Sequence, residues 1–580
     1  MLKRLAKCIR EYKLPTILTL IFIIGEAIIE TAIPFITANL VNGIKNGIEM
    51  SEILKTGGKL ALMAIVSLGF GAAAGFTSAK ASSGFAKNLR CDMMGKIQEY
   101  SFRNIDKFSS SSLVTRLTTD VTNVQMSYMM LTRIAIRSPL MLIFSIVMAY
   151  VMGGPLATAF VVVIPILGIG LYMVSRKAMP AFRRVFKKYD KLNESIEENV
   201  RGMRIVKGFS REEYEKKKFG MASEDICNDF TKAEKIVALN TPLMTLCMNI
   251  NTVFVLFIGA KMAIESMGAS VDVGQISAML TYGMQILMSL MMLSMIYVML
   301  TMSAESAKRI CEVLDETPEM SEKENPVREI KDGSVEFLNV NFKYSEKAKK
   351  NALSDINLHI KSGMTVGVIG GTGSGKSSLV QLIPRLYDVT EGKVTVGGVD
   401  VRDYGITELR NSVAMVLQKN LLFSGTIKEN LLWGNENATD EEIAEACRLA
   451  QAQEFIETFP EKYETKIEQG GTNVSGGQRQ RLCIARALIK KPKILILDDS
   501  TTAVDTKTDS LIRQGFSEFI PETTKIIIAQ RISSVQDADM IVVMENGRIS
   551  DVGNHTELLS RSEIYKEIYE QQTNGGDSDE

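Results

Sequence analysis

Six stretches of this chain, near 14–38, 58–80, 131–153, 155–176, 241–264 and 274–300, are apolar for long enough to cross about 30 Å of hydrocarbon as helices. No other property constrains the fold as tightly. A segment in lipid must satisfy its backbone polar groups internally or against a neighbouring helix. Gly and Pro interrupt most of these runs, which such spans tolerate when neighbours repair the backbone. The first run follows the basic stretch MLKRLAKCIREYKLP, exceeds a signal-peptide core and lacks a small-residue cleavage pattern. It reads as a retained span. A multi-pass protein of the cell membrane, embedded in the lipid bilayer, is expected.

Positive charge orients the spans. The connection between the second and third carries Lys87, Arg90, Lys96, Arg103, Lys107 and Arg116, and the one between the fourth and fifth is richer still, with Arg183, Arg184, Lys187 and Lys188 among others. The opposite-side loops carry only Lys45 and Lys55. Basic loops stay in the cytoplasm, so both termini and both long connections belong there. Their helix-forming composition predicts that the spans continue outward as long helices. Each is expected to turn back at a short polar segment, DKFSSSS (106–112) or GFSREEYEKK (208–217); ordinary loops are the alternative.

Basic and acidic residues balance at 67 each, so no net field favours nucleic acid as a partner. Seven cysteines without a CxxC pair and only two histidines argue against a disulfide framework or a zinc site. Domain boundaries follow from where the apolar runs stop. Residues 1–306 form the expected transmembrane domain, 307–333 a polar linker, 334–570 a soluble domain and 571–580 an acidic tail. In the soluble part, strand-like runs such as TVGVIG and KILILD alternate with helix-like segments, the pattern of an α/β domain.

Residues 370–377 read GGTGSGKS between a strand-like and a helix-like segment. This is a phosphate loop. The backbone amides of Gly370, Gly371, Thr372, Gly373, Ser374 and Gly375 can cradle phosphate, and the dipole of the helix opening at Ser377 and Ser378 adds to the attraction. Lys376 is placed to reach the β- and γ-phosphates, and Ser377 to hold Mg2+. A flexible linker is the alternative source of such glycines. Asp498, closing the buried run ILILD, is the expected magnesium-binding acid of a phosphate-loop nucleotidase, with a capping aspartate as the alternative.

Between these motifs lies NVSGGQRQRLCIARAL (473–488), and here the chain resembles the ABC transporters. VSGGQ, residues Val474, Ser475, Gly476, Gly477 and Gln478, is similar to their signature and stands just before the Asp498 strand, as in that family. The resemblance implies that Tyr344 stacks on adenine, that Gln418 in MVLQKNLLF touches Mg2+, and that TAVD, ending at Asp505, is the D-loop. Six spans followed by one nucleotide domain resemble an exporter half-transporter. The fold class implied is a multidomain membrane protein: an all-α six-helix transmembrane domain with long cytoplasmic helical extensions, plus an α/β P-loop nucleotide-binding domain. ATP and Mg2+ are its implied cofactors, and ATP-driven transport its implied activity.

Three residues depart from the family pattern, two of them at the expected γ-phosphate site. Asp499 stands where a glutamate handles the attacking water, and its carboxylate falls short by about one carbon–carbon bond, ~1.5 Å. Gln530 stands where the family has its switch histidine; it can donate a hydrogen bond but cannot become cationic. Gln469 replaces a further glutamate near the signature. A site altered twice at one phosphate is expected to bind ATP and cleave it slowly, because positioning dominates phosphoryl transfer. The intact signature is then expected to complete a competent site on a second ABC half-transporter carrying Glu and His. A slow homodimeric exporter and a nucleotide-gated, channel-like subunit are the alternatives.

The cargo is less legible. Glu26 and Glu30 lie four apart in the first span and share a helix face. Intramembrane carboxylates mark cavities or bundle interiors, so they are candidate contacts for a small amphiphilic substrate; the plainer alternative puts Glu30 near the outer interface and Glu26 against a neighbouring helix. Arg133 and Arg137 are expected to snorkel to cytoplasmic headgroups. The methionine-rich sixth span suits either an adaptable binding surface or plain packing. A processing peptide exporter with an amino-terminal peptidase domain is not the expected type, and the family resemblance implies a drug, lipid or small peptide as cargo.

Overall fold

Helix Lys13–Lys45 shows how an apolar run becomes a span. Leu14, Ile17, Ile21, Ile24 and Ile28 form an exposed stripe, while Thr19, Ile23, Ala27, Thr31, Pro34 and Ala38 are buried on another. Both stripes repeat at three and four residues, so one helix offers one face outward and one to its neighbours. The structure, a computed structural model, describes residues 2–266, 271–320, 322–346, 348–499 and 506–574.

Five continuous helical stretches among the described residues are long and apolar enough to cross a membrane: Lys3–Lys45, Met50–Gln98, Ser110–Val185, Glu212–Glu265 and Val273–Asp315. The third contains both expected spans 131–153 and 155–176, divided at Gly154, whose φ is +48°. Helix Met50–Gln98 has 49 residues, about 73 Å at 1.5 Å per residue and more than twice the hydrocarbon thickness. Its buried face is built from Ala74, Ser78, Ala81, Ser82 and Ala86. Small residues let helices approach closely where lipid supplies no hydrophobic driving force.

The chain turns back at Ser109 and Ser210, with φ of +57° and +49°; both serines lie in the polar segments singled out from sequence. Ser109 also caps the next helix, its hydroxyl accepting from the Ser112 amide at 3.4 Å. The two compact units are Met1–Gln98 with Ser109–Glu316, and Glu99–Phe108 with Thr317–Glu580. The second therefore contains a short piece of the first long connection. Helix Phe102–Phe108 lies in that piece, where Asp106 accepts a hydrogen bond from the Tyr387 hydroxyl at 2.9 Å and Arg103 pairs with Glu319 at 3.0 Å. Helix Val273–Asp315 covers the first part of the expected linker, with Ala307, Ile310, Cys311 and Leu314 buried.

In the second unit a six-stranded sheet runs, edge to edge, Arg548–Gly553, Met540–Glu545, Thr365–Gly370, Thr524–Ile528, Ile494–Asp498 and Val413–Val416. Its four inner pairings are parallel and only the Arg548–Gly553 edge is antiparallel. The run ILILD is buried throughout because the sheet is covered on both faces. Ile494 and Ile496 join one apolar cluster, Leu495 and Leu497 the other, following the two-residue period of a strand. A four-stranded antiparallel sheet, containing Val335–Phe342 and Leu353–Ile360, contributes to the first cluster, and helix Gly476–Ile489 to the second.

Candidate nucleotide-binding site

Strand Thr365–Gly370 ends in the phosphate loop, and its register fixes what faces that loop. Ile528 pairs with both Val368 and Asp498, so the segment after Ile528 and the acids after Leu497 emerge at the same sheet edge as the glycines. This carboxyl edge of a parallel sheet is where ligands bind in open α/β folds. Gly370 has φ +152°, and a Cβ there would come within 2.2 Å of the Met544 carbonyl oxygen. Gly375 has φ +98° and a Cβ would meet Leu353 at 2.9 Å. Both positions demand glycine.

The loop folds around its lysine. The Lys376 ammonium donates to the carbonyls of Gly370 and Gly371, each at 2.8 Å, and Ser374 is buried beneath it. Burial pushes the Lys376 pKa down, against the opposing pull of Asp499 and Asp498. Ser377 donates to Asp498 Oδ1 at 3.0 Å, which brings together the hydroxyl and the carboxylate expected around Mg2+. Burial pushes the Asp498 carboxyl upward, with the neighbouring Asp499 charge adding to it and the Ser377 bond opposing it. A divalent cation supplies what a buried carboxylate beside another acid lacks, so the donor set fits Mg2+.

Asp499 is buried and has φ +49°, its amide donating to the Ile528 carbonyl at 3.1 Å. One oxygen, Oδ2, accepts from Gln530 Nε2 at 2.5 Å and from Gln418 Nε2 at 3.3 Å. The three residues singled out separately from sequence thus share a single atom. Gln530 is held in turn by Gln572, whose amide donates to the Gln530 carbonyl at 2.7 Å and accepts from the Ile532 amide at 2.8 Å. Gln572 lies in the helix Glu563–Asn574 and belongs to no motif; nothing in its spacing marks it.

Tyr344 is 40 % exposed. Its hydroxyl bonds Ser378 at 2.7 Å and Gln381 at 3.3 Å, tying it to the helix that follows the loop. Tyr387 meets its ring edge-on at 5.1 Å between centroids. Burial raises the pKa of both phenols, and the Asp106 bond raises that of Tyr387 further. Tyr387, like Gln572, escaped sequence reading. Ser475 caps helix Gly476–Ile489: its hydroxyl accepts from the Gln478 amide at 3.2 Å while its own amide donates to the Gln478 side chain at 3.0 Å. Ser475 and Gly476 are exposed, Gly477 and Gln478 half-buried, and Val474 is anchored in the core. An exposed amino terminus of a long helix, preceded by glycine and serine, is suited to an anion. Asp505 lies outside the described residues, and so does most of the expected acidic tail.

In the first unit Glu26 and Glu30 meet Arg137. Arg137 Nη2 donates to Glu30 Oε2 at 2.6 Å and lies 3.5 Å from Glu26 Oε1. The expectation that Arg137 snorkels to headgroups is corrected by this geometry. Two carboxylates within reach on the adjacent helix satisfy a guanidinium at lower cost than an extension to the interface. Arg133 is exposed.

These features define a class, a membrane-spanning helical unit joined to a phosphate-loop nucleotide-binding unit. Residues 16–290 match the family described as ABC transporter transmembrane region, and residues 353–502 the family described as ABC transporter. An uncharacterized ABC transporter ATP-binding protein of Bacillus subtilis, YfiB, is 36% identical over 97% of both chains. A fatty acid ABC transporter ATP-binding/permease protein of Mycobacterium bovis is 32% identical over 83% of this chain and 75% of its own length. The solved structure of a bacterial Atm1-family ABC exporter with ATP bound superposes with a TM-score of 0.83 over 97% of this chain and 98% of the other, at 24% identity. The chain belongs to the ABC transporter family. It is a multi-pass membrane protein with the fold of that family's exporters.

Proposed function

We propose that this chain is one half of an ATP-driven exporter with six membrane crossings, and that its own nucleotide site holds ATP while hydrolysing it slowly. Lys376, Ser377, Asp498 and Gln418 would hold Mg-ATP, Tyr344 would stack on adenine, and Ser475, Gly476 and Gly477 would cap the nucleotide of a partner chain. Bound Mg2+ supplies charge neutralisation at the phosphates. One observation carries the reading. The short carboxylate of Asp499 accepts amide donors from both Gln530 and Gln418 on the same oxygen. A carboxylate engaged this way has to break a bond before it can orient water, and neither amide can deliver a positive charge to a leaving phosphate.

A partner carrying Glu and His would then do most of the turnover, and ATP binding would shift the population between inward- and outward-facing states. The cargo class is a small amphiphile, a drug, lipid or small peptide. The fatty-acid designation of the Mycobacterium bovis relative supports the amphiphilic part of that reading. The test is to purify the chain alone and with its candidate partner and to measure steady-state ATPase activity and retained nucleotide. Slow turnover alone, rapid turnover together and uncleaved ATP on this chain are expected. Vigorous Asp499-dependent hydrolysis by the chain alone would refute the proposal. ATP-dependent accumulation in inverted vesicles separates a pump from a nucleotide-gated subunit.

A further inference from the structure

Helices Lys13–Lys45 and Val121–Gly153 hold four charges inside the spans, Glu26, Glu30, Arg133 and Arg137, and of the two arginines only Arg137 pairs with the acids. A single nitrogen of the arginine does the pairing. Nη2 makes two bonds to Glu30, at 2.6 and 2.8 Å, and reaches Glu26 only at 3.5 Å. Glu26 makes no hydrogen bond among the described residues, although its side chain is just 13% exposed. It is pressed against Gly71, where a Cβ would lie 3.1 Å from its Oε1. Arg137 Nε is buried without a hydrogen-bond partner.

With one guanidinium in contact with two carboxylates, and Arg133 acting on Glu26 only through space, the contact cluster is short of one paired positive charge in a setting where uncompensated charge is expensive. It is also short of donors for Glu26. At 100° per residue both glutamates lie roughly 160° around the helix from the exposed stripe of Ile17, Ile21, Ile24 and Ile28. They face away from the most apolar exposed surface of their helix. Glu30 and Arg137 keep side-chain exposures of 30% and 40%, so the cluster is reachable.

We propose that this cluster is a headgroup subsite for a cationic amphiphile, which supplies the missing charge and donates its N–H groups to Glu26 and Glu30. Arg137 is the positioning residue that fixes Glu30 and limits the unbalanced charge to one. A carboxylate headgroup would bring a third anion to two and would have to strip Glu30 from Arg137. The assignment rests on the export reading for its biological sense, but binding tests it without transport.

The full chain in lipid nanodiscs, free of nucleotide, is titrated with dodecylammonium, dodecanoate and dodecanol, with empty nanodiscs as the partition control. Dodecylammonium is expected to bind most tightly. Glu26→Gln keeps the Glu30–Arg137 pair and removes the excess charge, so it should weaken dodecylammonium by at least ~10-fold and leave dodecanol unchanged. Equal affinity in the variant, or Arg137-dependent preference for dodecanoate, overturns the assignment. If Glu26→Gln loses its fold by circular dichroism, the neutral triple variant E26Q/E30Q/R137Q takes its place; retained dodecylammonium binding there overturns the assignment and lost binding supports it. Charge-dependent binding without ATP-dependent accumulation in vesicles would count against export and leave the subsite standing.

Discussion

Gln530 Nε2 lies 2.5 Å from Asp499 Oδ2, so two residues that depart from the family pattern in sequence bond directly to each other. The two departures read from sequence are therefore one structural unit. Restoring only one of them leaves a mismatched pair. Lengthening the acid alone drives its carboxylate toward Gln530, and changing the glutamine alone leaves Asp499 short. The double variant Asp499→Glu with Gln530→His is expected to raise ATP turnover of the purified chain by at least about tenfold, with each single change giving less than half of that gain on a logarithmic scale. Steady-state phosphate release measures it.

Asp498 tests the electrostatics. Its folded pKa is raised above the ordinary 3.8, mainly by burial. Such a group binds its proton more tightly folded than unfolded, so stability falls as pH rises from about the ordinary carboxylate value through the raised folded one. Above that window the charged carboxylate is a liability unless a cation meets it. Asp498→Asn is expected to raise the melting temperature of the nucleotide-free protein at neutral pH and to abolish the extra stabilisation by Mg-ATP. Melting curves at pH 4 and pH 7.5, with and without Mg-ATP, check both parts.

Tyr387 offers a test remote from the phosphates. Replacing it with Phe keeps the ring against Tyr344 and deletes the bond to Asp106, at 2.9 Å. The loss is expected to cost about 1 kcal/mol, as for one exposed hydrogen bond. ATP affinity should stay within about twofold, since the Tyr344 ring is untouched. Thermal unfolding and equilibrium nucleotide binding separate the two effects.

Gly370→Ala should remove nucleotide binding outright. The new Cβ would sit 2.2 Å from the Met544 carbonyl oxygen, and φ of +152° is closed to L side chains. Backbone strain of about 1–3 kcal/mol is expected on top of the displaced loop. Loss of ATP-induced stabilisation, with the fold retained by circular dichroism, is the expected outcome.

What was legible in sequence follows from where the information lies. The apolar runs, the glycine loop and the buried ILILD strand carry local patterns, and each constrains its own backbone within about a dozen residues. Partners that meet across the fold carry no such pattern. Arg137 finds Glu30 from 107 residues away, Gln572 finds Gln530 from 42, and Asp106 meets Tyr387 from 281. The snorkelling expectation for Arg137 failed for this reason. A residue's depth along its own helix carries no information about the acids on the next one.

The placement of Glu99–Phe108 in the second unit has a mechanical consequence. The chain passes between the units at Gln98/Glu99, at Phe108/Ser109 and at Glu316/Thr317. A protease that nicks only the polar segment 317–332 would therefore sever one tether of several and release nothing. Liberating a freely diffusing ATP-binding fragment would also require the Tyr387–Asp106 clasp and its neighbours to let go.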